Sequence, residues 1–237
     1  MTGSGRGIGR ETAILLPKKG LNVVICSRTQ TEIDSTVEEI RQITKTSDSG
    51  ASAAYRVIGI RCDVSNSSQV EGLAKLTIDM FKSIDILVNN AGIVYVKKLI
   101  DTTEDEWDKT IDINLKSSFL CTRAALPFMI KDRSRVIINV SSGAGKTGFP
   151  DLSAYCASKF GMIGLTESVA WEVANYNIRV MAICPGEVDT QMQQNVDPTY
   201  YKKNKHNMLQ PKVVAEKITE MIFKEHQYQN GQSVEIG

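Results

Sequence analysis

The sequence predicts one α/β domain, built on a doubly wound parallel sheet with helices on both faces. Six short apolar runs alternate with six longer segments of helical periodicity over residues 1–237. Most of these runs are continuously apolar, as in strands that are buried on both faces of a sheet. A strand followed by a helix, repeated at this spacing, is typical of parallel sheets, and the length suits one domain.

The strands are predicted where Val- and Ile-rich runs are bounded by polar or turn residues. We expect them at residues 21–27, 55–64, 84–88, 135–140, 178–183 and 233–236. Helices are predicted where apolar residues recur every three to four positions, at 10–19, 31–44, 68–81, 104–129, 154–175 and 212–224. Pro17 is tolerated late in the first helix because that helix ends near Gly20. The serine-rich stretch 44–52 is expected to be a surface loop.

Composition and charge exclude several classes of protein. With 28 basic and 27 acidic residues the net charge is +1, so no global field attracts nucleic acid or an anionic membrane. No apolar run approaches the roughly 18 to 20 residues that span a bilayer, and the N-terminus lacks the layout of a signal peptide. Five widely spaced cysteines without a CxxC pair favour reduced thiols in a cytoplasmic protein and predict no metal site.

A glycine-rich segment opens the first helix. Glycines there permit a tight turn and close approach of the backbone to a pyrophosphate, whose charge the helix N-terminus stabilises. An ordinary loop is the alternative for a glycine run taken alone. The candidate cofactor-binding residues of this loop are Gly3, Ser4, Gly5, Arg6, Gly7, Ile8 and Gly9.

A tyrosine and a lysine four positions apart form the most specific local pattern. Tyr155 and Lys159 share one face of a helix. The reference pKa of tyrosine is about 10, so a nearby ammonium that favours the phenolate would help it act near neutral pH. Such a pair also occurs by chance on protein surfaces. Two further polar residues precede the pair: Ser142 lies 13 residues before Tyr155, and Asn114 lies 28 residues before Ser142.

The TGxxxGxG spacing of the loop and the register of these four residues resemble the classical short-chain dehydrogenase/reductase family. Within that Rossmann-fold family the chain is most similar to the bacterial 3-oxoacyl-acyl-carrier-protein reductases, over nearly its whole length. The resemblance implies that Tyr155 is the general acid or base, and that Lys159 binds the nicotinamide ribose and lowers the tyrosine pKa. It further implies that Ser142, rather than the adjacent Ser141, bonds the substrate carbonyl, and that Asn114 interrupts its helix and holds a water in a proton relay.

The end of the second strand of the family pattern indicates which nicotinamide cofactor is bound. NAD-specific sites place an acid there, whereas this chain has Ser27 and Arg28. Arg28 can fork onto a 2′-phosphate, Ser27 can donate a hydrogen bond, and Arg6 can approach from the glycine loop. We therefore expect NADP(H) to be preferred over NAD(H); a solvated surface arginine is the alternative.

Further cofactor contacts are implied by family motifs after the later strands. Asp63 alone could equally be a turn residue, and a plain turn is the alternative at the segment that begins with Pro185. The family places the cofactor against Tyr155, Lys159 and the residues that match its other motifs, namely Asp63, Val64, Asn90, Ala91, Gly92, Pro185, Gly186, Val188 and Thr190.

One departure from the family concerns the strand that precedes the glycine loop. In the family this strand is central in the sheet, whereas here only Met1 stands before Thr2. Unpaired buried backbone groups cost about 1–3 kcal/mol each, so its absence would weaken both neighbouring strands. We expect a start site upstream of Met1 or a shortened chain; a functional six-stranded variant is the alternative.

The resemblance also has implications for partners and assembly. Arg133 aligns with one basic residue that the similar reductases use to dock acyl carrier protein, but the second docking position is the uncharged Tyr176. We expect a homodimer or homotetramer, as in the family, formed through apolar residues of two long helices, Phe119, Leu120, Met162, Ile163 and Trp171. Residues 200–203 are expected to form a solvated helix, with substrate contact as the alternative, and His206 and His226 to be solvated.

The leading hypothesis is an NADP-dependent oxidoreductase that transfers a hydride between nicotinamide and a carbonyl or secondary alcohol, as a ketone or 3-oxoacyl reductase. Small ketones, steroid-like ketones and sugars or polyols stay open as substrates. One alternative is an inactive nucleotide-binding regulatory module of the same fold. Another is an epimerase or dehydratase with tightly held NAD.

Overall fold

Helices and strands alternate along the computed structural model, which describes residues 1–45, 55–132 and 135–237. The strands are β1 (Val23–Ser27), β2 (Val57–Arg61), β3 (Ile86–Asn89), β4 (Arg135–Val140), β5 (Ile178–Pro185) and β6 (Ser233–Ile236). The helices are α1 (Gly7–Leu15), α2 (Gln30–Lys45), α3 (Ser67–Phe81), α4 (Glu104–Ile111), α5 (Ser117–Asp132), α6 (Ser153–Val173), α7 (Gln191–Val196), α8 (Pro198–Asn204) and α9 (Pro211–Phe223).

All neighbouring strands are parallel, and helices cover both faces of the sheet. β1 pairs with β2, and the other four strands follow the order β3-β4-β5-β6. Residues of α1, α2 and α9 form one apolar cluster, which includes Ile14, Ile33 and Ile218. Residues of α3, α5 and α6 form a second cluster, which includes Val70 and Met129. The predicted doubly wound α/β architecture is confirmed.

The expected lack of a central strand is visible as a division between β1 and β3. Met1 and Thr2 lie between them: the Thr2 N–H donates to the Val88 carbonyl at 3.0 Å, and the Cys26 N–H donates to the Met1 carbonyl at 3.1 Å. A largely apolar cavity of about 240 Å³ follows this short bridge, lined by residues of both strands such as Val24. The bridge nevertheless delivers the glycine loop to the carboxyl edge of the sheet.

The first helix differs from its predicted limits at both ends. It begins at Gly7 rather than at residue 10, because the backbone of Arg6 is extended and the glycines that follow enter the helix directly. It ends at Leu15, and a single 3₁₀ turn follows over Pro17–Lys19. Proline has no N–H to continue the ladder of hydrogen bonds, so Pro17 ends the α-helix earlier than expected.

Two further elements depart from the sequence-based expectation. The predicted helix 104–129 is divided into α4 and α5 by a π turn over Asp112–Lys116. The short helices α7 and α8 were expected only as a solvated helical segment around residues 200–203. Residues 46–52 of the predicted loop and Arg133 lie outside the described residues. Within the described ranges, no helix is both long enough and apolar enough to cross a membrane.

Candidate active site

A cavity of about 470 Å³ opens at the carboxyl edge of the sheet. The loops after all the strands from β1 to β5 contribute to its wall, together with the glycine loop and α7. Open parallel sheets place ligands at this edge, because side chains and N–H groups at the strand ends converge there.

Hydrogen bonds from the end of β3 fix the glycine loop. The Thr2 hydroxyl oxygen accepts from the N–H groups of Asn90 at 2.9 Å and Ala91 at 3.1 Å. The Asn90 side-chain amide donates to the carbonyls of Thr2 at 3.1 Å and Gly3 at 2.9 Å. The loop can therefore turn sharply, with a φ of +61° at Gly3, without leaving buried polar groups unpaired.

The N-terminus of α1 is shaped to receive an anion. Gly7 has a φ of +56°, the Arg6 side chain makes no capping hydrogen bond, and the first turn holds no acidic residue. The first N–H groups of α1 thus have no side-chain acceptor from the N-cap. A Cβ at Gly9 would lie 2.2 Å from the Gly3 carbonyl oxygen, so the backbone segments here are as close as glycine permits. These features fit a dinucleotide pyrophosphate.

All but two of the cofactor-binding residues predicted from the sequence line this cavity. Ser4 and Gly9 lie outside the cavity wall. The Ser4 hydroxyl is buried and donates to the Met1 carbonyl at 2.9 Å. The wall includes Gly3, Gly5, Arg6, Gly7, Ile8, Ser27, Arg28, Asp63, Val64, Asn90, Ala91, Gly92, Tyr155, Lys159, Pro185, Gly186, Val188 and Thr190.

Asp63 and Thr190 each stabilise a local turn in addition to lining the cavity. The Asp63 carboxylate accepts from the Ser65 N–H at 3.0 Å and the Ser65 hydroxyl at 2.7 Å, which is the turn role left open by the sequence. The Thr190 hydroxyl caps α7 by accepting from the Gln193 N–H at 3.2 Å. Both side chains are thereby held in fixed orientations at the rim.

The two serines after β4 have different partners. The Ser141 hydroxyl is buried and donates to the Lys159 carbonyl at 3.0 Å. The Ser142 hydroxyl lies on the cavity wall, accepts from the Ala144 N–H at 3.1 Å, and acts to lower the pKa of the Tyr155 phenol. The structure thus brings Ser142, and not Ser141, to the phenol.

Burial dominates the ionisation of Tyr155 and Lys159. It raises the pKa of the Tyr155 phenol, although the hydrogen bond from Ser142 partly offsets this. It lowers the pKa of the Lys159 ammonium to about 8. The Lys159 ammonium donates to the Val140 carbonyl at 2.8 Å and lies 5.6 Å from the centre of the phenol ring, a distance at which a positive charge favours the phenolate.

Asn114 lies in the π turn, where the sequence predicts an interruption of the helix. Its side-chain oxygen accepts from the Ile93 N–H at 2.8 Å, and its amide donates to the Ile93 carbonyl at 2.9 Å and the Ser158 hydroxyl at 3.0 Å. The side chain is fully buried and does not line the cavity. A Cβ at Gly92 would lie 3.4 Å from the Asn114 oxygen and 3.8 Å from Lys159 Nζ, so both side chains lie close to Gly92.

Helix α7 covers one side of the cavity, and α8, which follows it, is tied to the loop after β5. The Tyr200 hydroxyl donates to the Glu187 carboxylate at 3.1 Å, and the Tyr201 hydroxyl donates to the Asp189 carboxylate. Met192 and Val196 of α7 face the cavity. The segment expected to be merely solvated is therefore anchored at both tyrosines.

Glu32 also lines the cavity near the end of β1, and it is not among the cofactor-binding residues predicted from the sequence. Its carboxylate accepts from the Ser27 hydroxyl at 3.2 Å and lies 3.8 Å from the Arg6 guanidinium. Its position could have indicated this role, because Glu32 lies in the first turn of α2, shortly after the carboxyl end of β1.

All five cysteines are buried free thiols. Among the described residues, no group of three or more His, Cys, Asp or Glu side chains is arranged to hold a metal ion.

Several known proteins are similar to this chain in sequence. The family model for short chain dehydrogenases matches residues 1–200. A 3-oxoacyl-acyl-carrier-protein reductase of Synechocystis is 39% identical over 198 residues, which cover 83% of this chain and 76% of that protein. A 3-oxoacyl-acyl-carrier-protein reductase of Thermotoga maritima is 32% identical over 242 residues, which cover all of this chain and 94% of that protein.

Solved structures resemble this one over nearly their whole length. Levodione reductase superposes with a TM-score of 0.90 at 28% identity, covering 99% of this chain and 93% of the other. A variant of actinorhodin polyketide ketoreductase, crystallised with NADPH, superposes with a TM-score of 0.88 at 28% identity and the same coverage.

Substitution of Gly9 tests the close packing under the loop. We expect Gly9→Ala to weaken NADPH binding about tenfold or more, because the new methyl displaces the loop, and to lower the free energy of unfolding by about 1–3 kcal/mol. NADPH fluorescence and urea denaturation measure these effects. The control is Gly72→Ala in α3, where a Cβ meets nothing within 4 Å. It should leave binding unchanged and add up to about 1 kcal/mol of stability; equal behaviour of the two variants would contradict the account of the loop.

Proposed function

The chain belongs to the short-chain dehydrogenase family, and from that membership we propose an NADP-dependent reductase that delivers a hydride to a ketone or a 3-oxoacyl group. One observation carries the proposal. Ser142, Tyr155 and Lys159 line one cavity, where the Lys159 ammonium lies 5.6 Å from the centre of the phenol ring and Ser142 opposes the rise in the Tyr155 pKa that burial causes. Hydroxyl donors beside a cation are what a carbonyl oxygen needs as it gains negative charge.

The residues divide the work of a reduction among them. When bound, reduced nicotinamide supplies the hydride. Ser142 donates a hydrogen bond to the carbonyl oxygen, and Tyr155 transfers its proton to that oxygen. A raised pKa keeps the Tyr155 phenol protonated near neutral pH, which is the form that a reduction consumes. Lys159 holds the nicotinamide ribose, and its charge stabilises the phenolate that remains.

Asn114 is proposed to support the proton relay rather than to touch the substrate. Its side chain is buried close to Gly92, which the Lys159 ammonium also approaches. The π turn fixes its position, and a water held there would return a proton toward Lys159.

The preference for NADP(H) over NAD(H) is proposed from the cations around the end of β1. Arg28 lines the cavity, and it makes no ion pair with any other residue that the structure describes. Arg6 lies across from it on the glycine loop, with 63% of its side chain exposed. A planar guanidinium with several donors suits a phosphate, and the similar ketoreductase structure contains NADPH.

A carbonyl substrate with an apolar body is supported by the lining of the cavity. Apolar side chains of four different segments contribute to it, namely Val94, Ile113, Phe149, Leu152, Met192 and Val196. Two similar proteins bear the name of 3-oxoacyl reductases, which supports a 3-oxoacyl thioester as one substrate class. Delivery by acyl carrier protein stays a prediction, because Arg133 lies outside the described residues and the exposed Tyr176 has no charge.

An inactive nucleotide-binding module is not favoured. A module that only binds nucleotide has no need of two hydroxyls and an ammonium grouped beyond the glycine loop. The single-domain organisation over residues 1–237 and the cytoplasmic location stay predictions.

Assembly into a homodimer or homotetramer is proposed from apolar side chains on α5 and α6. Trp171 is 83% exposed, and Phe119 and Phe160 are exposed as well. Leu120, Met162 and Ile163, which were expected at the interface, are instead buried in the chain's own interior. We expect sedimentation velocity at micromolar concentration to give a dimer or tetramer; a monomer would refute the proposal.

Replacement of the phenol tests the proposed chemistry. We expect Tyr155→Phe to lower the reduction of ketones and 3-oxoacyl thioesters by about 10²-fold or more, since it removes the proton donor. NADPH binding should change by less than about threefold, because the ring is kept. NADPH absorbance with a panel of substrates and NADPH fluorescence give the two measurements.

The matched control is Tyr228→Phe. Tyr228 contacts Lys217 and lies outside the cavity wall, so this variant should retain full turnover. Unchanged turnover in Tyr155→Phe would remove Tyr155 from the mechanism.

A further inference from the structure

A carboxylate occupies the part of the cavity that is proposed to take the 2′-phosphate of the cofactor. Glu32 extends from the first turn of α2 toward the glycine loop, with 30% of its side chain exposed. A Cβ at Gly5 would lie 2.7 Å from both Glu32 Cβ and Glu32 Oε2. The side chain is therefore packed directly against the loop rather than extended into solvent.

The carboxylate binds two of the three groups assigned to the phosphate. Its Oε2 accepts from the Ser27 hydroxyl at 3.2 Å, and its Oε1 lies 3.8 Å from Arg6 Nη1. Only Arg28 among the three makes no ion pair or hydrogen bond to Glu32 within the described part of the chain.

A 2′-phosphate and Glu32 would compete for the same partners. A phosphate monoester carries about −1.5 to −2 charges at neutral pH, so it must draw Arg6 and Ser27 away from the carboxylate and then remain close to it. Like charges at such separations disfavour binding, and the effect is larger at low ionic strength. The ribose hydroxyl of NAD(H) avoids this conflict, because it can donate a hydrogen bond to the same carboxylate.

We infer that Glu32 is a specificity-determining residue that reduces the margin by which this enzyme prefers NADP(H) over NAD(H). The inference deepens the proposed function and rests on nucleotide binding in this cavity. Arg28 and Arg6 attract the additional phosphate, Glu32 opposes it, and the balance of these charges sets the ratio of the two affinities.

The direct test is Glu32→Gln, which keeps the size of the side chain and removes its charge. The dissociation constants of NADPH and NADH are measured by nicotinamide fluorescence, without substrate, at low and at moderate salt. We expect NADPH to bind about fivefold more tightly in the variant at low salt, as for loss of one partly exposed like-charge contact. NADH should bind equally or more weakly.

The matched control is Glu39→Gln on the same helix. Glu39 pairs with Arg10 and lies outside the cavity wall. This variant also loses a carboxylate from an ion pair between α1 and α2, so a general effect of charge or helix stability would appear in both proteins. We expect neither dissociation constant to change in it.

The outcomes separate this inference from the proposed reductase activity. Unchanged or weaker NADPH binding in Glu32→Gln would overturn the inference, since Glu32 would then be neutral or would help to organise the phosphate site. Equal changes in Glu39→Gln would overturn it as well. If no carbonyl compound is reduced, the proposed function fails, while the two dissociation constants still decide the role of Glu32.

Discussion

The hydrogen bonds between the glycine loop and the end of β3 are the constraint on which the site depends. Asn90 donates to two carbonyls of the loop, and the Thr2 hydroxyl accepts from two N–H groups that follow β3. Together with the hydrogen bonds of Cys26 to Met1 and Ser4, they join the β1–β2 part of the sheet to the part that contains β3 to β6. Because these contacts hold the loop, the N-terminus of α1 faces the same cavity as the side chains that follow β4.

At the far end of that cavity, burial and hydrogen bonding assign different tasks to neighbouring residues. The Ser141 hydroxyl donates to the backbone carbonyl of Lys159, whereas Ser142 acts on the pKa of Tyr155. Burial keeps the phenol protonated and makes the ammonium easier to deprotonate. The same sheet edge therefore provides an anion site near α1 and a proton-donating site some strands away, as an enzyme that moves both a hydride and a proton requires.

Contacts fixed by chain periodicity or spacing could be predicted from the sequence, and contacts fixed by tertiary packing could not. The shared helix face of Tyr155 and Lys159 follows from their four-residue spacing, and the choice of Ser142 follows from the resemblance to the family. The role of Glu32 could not be predicted, because it depends on how α2 packs against the glycine loop, which no local sequence pattern encodes. The burial that raises the pKa of Tyr155 likewise comes from surrounding segments, which no local pattern encodes.

The central claim is that this cavity transfers a hydride from nicotinamide to a carbonyl carbon while Tyr155 supplies the proton. The most direct measurement uses NADPH with both C4 positions deuterated and a 3-oxoacyl thioester or ketone, with mass spectrometry of the alcohol that is formed. The account predicts one deuterium on the carbinol carbon, and none on oxygen after exchange with water. An alcohol without carbon-bound deuterium, or no alcohol from any carbonyl compound tested, would contradict it.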